Sequence, residues 1–125
     1  MSFNTKTYKK VSSLISDSYP SAKLMIVSKN RSLSSINQAL NEGAVLFGEN
    51  KVQEADLKFE GIRRKFPNID LHLIGPLQTN KVKQAMKVFD VIQSVDREKL
   101  VKEIAKYNLK TTRAKKFYIQ INIGK

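Results

Sequence analysis

The chain has no cysteine and no tryptophan, only one histidine (His72), and no apolar stretch approaching the roughly 20 residues that cross a bilayer. Each absence excludes something. Without cysteine there is no disulfide framework, no thiolate nucleophile and no cysteine-based metal site. One histidine is too few for an ordinary zinc centre, so no metal is expected. The opening stretch, "MSFNTKTYKKVSSLISDSYP", lacks the continuous apolar segment of a secretory signal, and the expected location is cytoplasmic.

What is present is a chain of 125 residues, enough for one domain over 1–125 with a real core, but not for two. Its 41% hydrophobic and 27% charged residues are those of a soluble globular protein. The formal charge of +12 raises nucleic acid as a partner. The lysines, however, are spread over the polar faces of helices, with no RNP-like aromatic motif, zinc-finger spacing or basic tail. No specific nucleic-acid partner is expected; the excess charge favours an anionic small ligand instead.

Hydrophobic spacing gives an alternation of helices and strands. Tyr8, Val11, Leu14 and Ile15 form one face of an opening helix. In "AKLMIVSKNRS", Leu24 to Val27 read as a short strand buried on both faces, with Lys29 mounted at its end. "SLSSINQALNEG" sets Leu33, Ile36, Ala39 and Leu40 at helical spacing, with serines to cap the start and Gly43 the end. "AVLFGEN" is a second strand. Val52, Ala55, Phe59, Ile62 and Phe66 form the stripe of the next helix. "IDLHLIG" and "DVIQSV" are further strands, separated by a helix turning Val82, Ala85, Met86 and Phe89 inward. Leu100, Val101, Ile104 and Ala105 mark a last helix, and "KFYIQINIG" a fifth strand.

Such alternation implies a parallel α/β sheet built from βαβ crossovers. A flavodoxin-like open sheet is one candidate, although it would normally cover its last strand with a helix. In parallel sheets ligands bind at the C-terminal ends of the strands. Here those ends carry Lys29 with Asn30 and Arg31, then Gly48, Glu49 and Asn50, then "IGPLQTNK", "QSVD" and "NIGK". On spacing alone they make a binding site for a small polar ligand. His72, mid-strand, reads as a hydrogen-bonded core residue, and Glu49 and Asp96 as caps of the helices that follow.

"IVSKNR", "FGENKVQEA", "LHLIGPLQTNK" and "IQSVDREKL", in that order, resemble the pyridoxal phosphate (PLP) homeostasis protein family, from about Lys23 to Gly124. The resemblance implies an alanine-racemase N-terminal type of TIM-like (β/α) barrel, here incomplete, with about five parallel strands. It also implies PLP as cofactor, held as a Schiff base on Lys29, with Asn50 and the "IGPLQTNK" turn lining the same cavity. A Schiff base needs a neutral amine, which desolvation of the lysine stem or a neighbouring cation such as Arg31 would favour.

Two departures qualify this. The family commonly continues the lysine as Lys-Thr-Lys-Pro, whereas this chain has Asn30, Arg31 and Ser32 and so lacks the stiffening proline. The family barrel also has eight strands, and its phosphate-gripping loops follow strands beyond the fifth, so the chain reads as the N-terminal part of such a barrel. The implied function is non-catalytic PLP binding in intracellular PLP homeostasis, with no catalytic residue. One alternative is a PLP-dependent amino-acid racemase-like enzyme, which would need a second acid/base group that related racemases draw from a separate β-domain. The other is a fragment that binds PLP tightly only with its C-terminal half. Expected partners are PLP and either a complementing C-terminal chain or a second copy joined at exposed strand edges, with no membrane.

Overall fold

The computed structural model describes residues 2–107 and 109–124. Helix α1 (Thr5–Ser18) starts at Asn4, whose side chain accepts the Thr7 amide at 2.9 Å. No α1 residue is fully buried. Tyr8, Val11 and Ile15 are half-buried, but Leu14 is 58% exposed, so the expected stripe docks only in part. Strand β1 (Ile26–Val27) leads to α2 (Leu33–Asn41), which Ser32 caps by accepting the Ser35 amide at 3.1 Å. Gly43, with φ +95°, ends α2 in a left-handed turn, its N–H donating to Leu40 and that of Ala44 to Ala39. This pairing satisfies two carbonyls of the last turn and favours glycine at the reversal.

Strand β2 (Leu46–Glu49) is followed by α3 (Val52–Lys65), β3 (Asp70–Leu73) and a 3₁₀ turn (Thr79–Lys81) running into α4 (Val82–Val88). Then come β4 (Val91–Val95), α5 (Glu98–Ile104) and β5 (Lys116–Ile119). All neighbouring strands are parallel, and the spatial order is β1-β2-β3-β4-β5. That order excludes the flavodoxin-like alternative, whose sheet reverses direction at a switch point. Each crossover here advances one place the same way, as in a (β/α) barrel. The result is an unclosed TIM-type barrel sheet. Among the described residues, no helix is long and apolar enough to cross a membrane.

The helices form one layer: α3 packs on α4, and α4 on α5. Against it β2 turns Phe47 and Glu49, β3 turns Leu71 and Leu73, and β4 turns Ile92, all buried. The Phe47 and Phe59 rings lie 5.5 Å apart, and the α2 residues Ile36, Ala39 and Leu40 join the same core. Burying each such large apolar side chain contributes about 1.5–3 kcal/mol. At the N-terminal ends of the strands, Arg63 fastens helix to sheet, donating to Asp90 and the Val88 carbonyl at 2.9 Å each.

The alternation of a strand sends intervening residues the other way. Leu46, Gly48, Asp70, His72, Val91, Gln93 and Tyr118 therefore lie on the second face, which among the described residues no helix covers, although Gly48, His72 and Val91 are themselves buried. This corrects three sequence expectations. The strand at Leu24–Val27 is not buried on both faces: only Ile26 and Val27 pair, and Val27 is 47% exposed. In α5 only Leu100 and Ile104 are buried, while Val101 and Ala105 face out. The fifth strand stops at Ile119, leaving Ile121 75% exposed beyond it.

Candidate functional site

Strand β1 hands over to a closed turn. The Ser28 amide still donates to Gly48 at 3.0 Å, continuing the ladder, and Arg31 N–H then closes back on the Ser28 carbonyl at 3.1 Å. Asn30, third in this turn, has φ 58°, a conformation asparagine tolerates better than most residues. Ser28 is buried towards the helices, and Lys29 follows it in the turn, just past the C-terminal end of β1. The Lys29 side chain is exposed, and among the described residues nothing is bonded to its amine.

The residues on either side of Lys29 are tied down. Ser28 Oγ donates to Oε2 of Glu49, a carboxylate with 0% exposure. Lys58 Nζ, from α3, donates to the Ser28 carbonyl at 2.7 Å and to Glu49 Oε2 at 3.2 Å. The same Nζ lies 2.5 Å from Glu54 Oε2, which in turn accepts the Asn30 amide at 2.6 Å. Burial pushes the Glu49 carboxyl above its ordinary value of 4.5, against the hydrogen bond from Ser28 and the charge of Lys58. The Lys58 hydrogen bond above all, helped by the Asn30 amide, holds Glu54 below that value, against the opposing effect of burial.

Beside this turn, the β2–α3 and β3–α4 loops enclose a cavity of about 580 Å³. Asn50, Lys51, Glu54, Leu77, Gln78 and Lys81 are among the residues that line it. The loops touch through backbone: a Cβ on Gly75 would sit 2.6 Å from the Asn50 carbonyl oxygen, so only glycine allows this approach. Asn50 thus shares a cavity with Pro76, Leu77, Gln78 and Lys81 of the predicted turn. Lys29 is not among its lining residues; Glu54 connects the two, lining the cavity while holding the Asn30 amide.

Residues 5–125 match the family described as alanine racemase, N-terminal domain. The chain belongs to that family. The pyridoxal phosphate homeostasis protein of Buchnera aphidicola (subsp. Acyrthosiphon pisum) is 39% identical over 99 residues, covering 79% of this chain and 49% of the relative. Its namesake in Pasteurella multocida is 37% identical over 102 residues, covering 82% and 44%. Among solved structures, PipY of Synechococcus elongatus, with PLP bound, is 39% identical with a TM-score of 0.70, covering 78% of this chain and 46% of PipY. The chain spans about half the length of the curated relatives it matches.

In this alanine racemase N-terminal domain, several expected roles are revised. The stem of Lys29 is not buried but exposed. Arg31 lines an apolar groove with Phe3, Tyr8 and Ile36 under α1, a space to which Lys29 does not contribute. Glu49 is not a helix cap: α3 starts at Lys51 with no side-chain cap, and Glu49 is committed to Ser28 and Lys58. Asp96 does not cap α5 either, but pairs with Arg97 at 2.8 Å. Arg97 also donates to the Leu77 carbonyl at 2.9 Å, tying the β4–α5 loop to the cavity wall.

His72 lies on the uncovered face, where its Nδ1 meets Gln93 Nε2 at 2.8 Å. Its Nε2 is 3.0 Å from Asp70 Oδ1 but outside hydrogen-bond geometry. In "NIGK", Ile123 is exposed and Lys125 lies outside the described residues. Sequence reasoning missed Glu54 and Lys58. Their i,i+4 spacing, glutamate first, was a readable signal of a helical ion pair; their grip on the β1 turn was not.

Proposed function

We propose that this chain binds PLP, that Lys29 supplies the amine forming a Schiff base with its aldehyde, and that the role is PLP homeostasis without catalysis. The observation that carries this is the unbonded Lys29 amine, on a fastened turn at the C-terminal end of β1. PLP brings an aldehyde that condenses with a primary amine, with loss of water. Lys29 suits that task because no internal carboxylate holds its amine. Asn50 and Gln78, in the neighbouring cavity, supply amide donors for the cofactor's polar groups.

Two further facts favour the reading: the names of the relatives and the PLP bound in PipY. Non-catalysis has its own physical support. Glu49 and Glu54, the carboxylates nearest the turn, are engaged with Ser28, Asn30 and Lys58, which leaves them poorly placed to exchange protons with a substrate. Residues 1–125 form a single domain in this reading, the N-terminal part of the barrel. The uncovered face and the free edges of β1 and β5 then await a complementing chain or a second copy.

Titration with PLP, followed by visible absorbance, is the test. The wild-type chain should develop a Schiff-base band that Lys29→Ala lacks, and amino acids added with PLP should keep their configuration. An unchanged band in Lys29→Ala, or racemisation of added amino acids, would contradict the reading.

A further inference from the structure

Lysine is a flexible side chain, and an aldehyde is captured efficiently only by an amine already aimed at it. What fixes the aim of Lys29 is the conformation of its turn. On its strand side the turn is held by the Ser28 amide, which donates to Gly48, by Ser28 Oγ on Glu49, and by its own closing hydrogen bond from Arg31 to Ser28. The peptide groups flanking Lys29 are also held from helix α3. Lys58 holds the carbonyl before Lys29 at 2.7 Å, and Glu54 holds the amide after it at 2.6 Å. The two are joined at 2.5 Å, so the peptide units on both sides of Lys29 are gripped by a single i,i+4 pair.

We infer that Glu54, backed by Lys58, is a positioning residue for Lys29: by accepting the Asn30 amide it holds the turn in one conformation and so makes Lys29 the amine that captures PLP. The grip also disposes of the nearest competing amine. Lys58 Nζ is held by three acceptors, the Ser28 carbonyl, Glu49 and Glu54, so it is not free to swing towards an aldehyde. Buried Glu49, pinned by Ser28, also holds Lys58 in place.

The role presupposes the Schiff-base reading, and the test separates the two. Wild type, Glu54→Ala and Glu54→Gln are treated with sub-stoichiometric PLP and borohydride, and label is quantified by peptide. Amide exchange at Asn30 is followed in the same three proteins without PLP. Glu54→Ala should speed Asn30 exchange about tenfold or more, the loss of one hydrogen bond to a charged acceptor. It should also cut the Lys29 labelling rate severalfold, with other lysines and the melting temperature little changed. Glu54→Gln keeps an acceptor and should restore most of both. Unchanged Asn30 exchange in Glu54→Ala overturns the inference, and so does faster exchange with undiminished Lys29 labelling. Even labelling of all lysines in the wild type overturns the Schiff-base reading itself, and the positioning role with it.

Discussion

The two faces of the sheet are built to different specifications from the same strands. On β2, Phe47 and Glu49 point to the helices and are wholly enclosed, while Leu46, at the start of the strand on the other face, is only half-buried. On β1 and its extension, Ser28 is buried and Val27 is not; on β5, Tyr118 stands 54% exposed. The helix side holds the tilted Phe47–Phe59 pair and the continuous core of α2 to α5. The other side carries a histidine, amides and a tyrosine. Stability is concentrated on one face, and the residues suited to chemistry lie on the other or at its rim. Glu49 is the exception, a charge on the packed face, and it is retained there by its hold on the turn.

Removing a side chain from each face gives the largest contrast. Phe47→Ala should destabilise the chain by about 3–5 kcal/mol, the cost of a cavity in a closed core. Val27→Ala should cost less than about 1 kcal/mol. Urea denaturation of both variants measures the difference; comparable losses would mean that the second face is also packed.

The buried carboxylate gives a smaller, pH-dependent effect. Glu49 has a folded value raised above its ordinary 4.5, so its contribution is fully favourable below that value and is lost as pH rises through the folded one. Glu54 is depressed, so its contribution is present above 4.5 and is lost as pH falls through its lower folded value. Stability should therefore decline from pH about 4.5 towards neutrality in the wild type, and this decline should be shallower in Glu49→Gln. Denaturation midpoints across pH decide it, and parallel curves would contradict the assignment.

Most of the packed face was legible in the sequence. The α3 stripe, the Ser32 cap and the Gly43 reversal are local signals, and each stands where spacing put it. Leu14, Val101 and the ends of β1 and β5 were misjudged for one reason: apolar periodicity shows which residues could be buried, not whether another element arrives to bury them. Lys29 and Asn50 were legible by position at strand ends. The Glu49–Lys58–Glu54 network was not, because it joins three elements and its members sit at spacings that also fit caps and surface pairs.

The weakest expected effect concerns the edges. Among the described residues strand β5 pairs with β4 alone, and the exposed Ile119 and Ile121 beside its free edge favour association once salt screens the charge of +12. Screening shortens the reach of charge to about 10 Å at 0.1 M. Light scattering should rise with salt in the wild type and rise less in Ile121→Lys; a monodisperse monomer at every salt concentration would show that the edge is protected.

The central claim is that one amine at the C-terminal end of β1, Lys29, is set apart from every other lysine of a lysine-rich chain. Borohydride reduction at sub-stoichiometric PLP, followed by peptide mapping, tests it directly. The account predicts label concentrated on the peptide containing Lys29 and absent from Lys29→Ala. Label shared evenly among the lysines, or undiminished by that substitution, would contradict it.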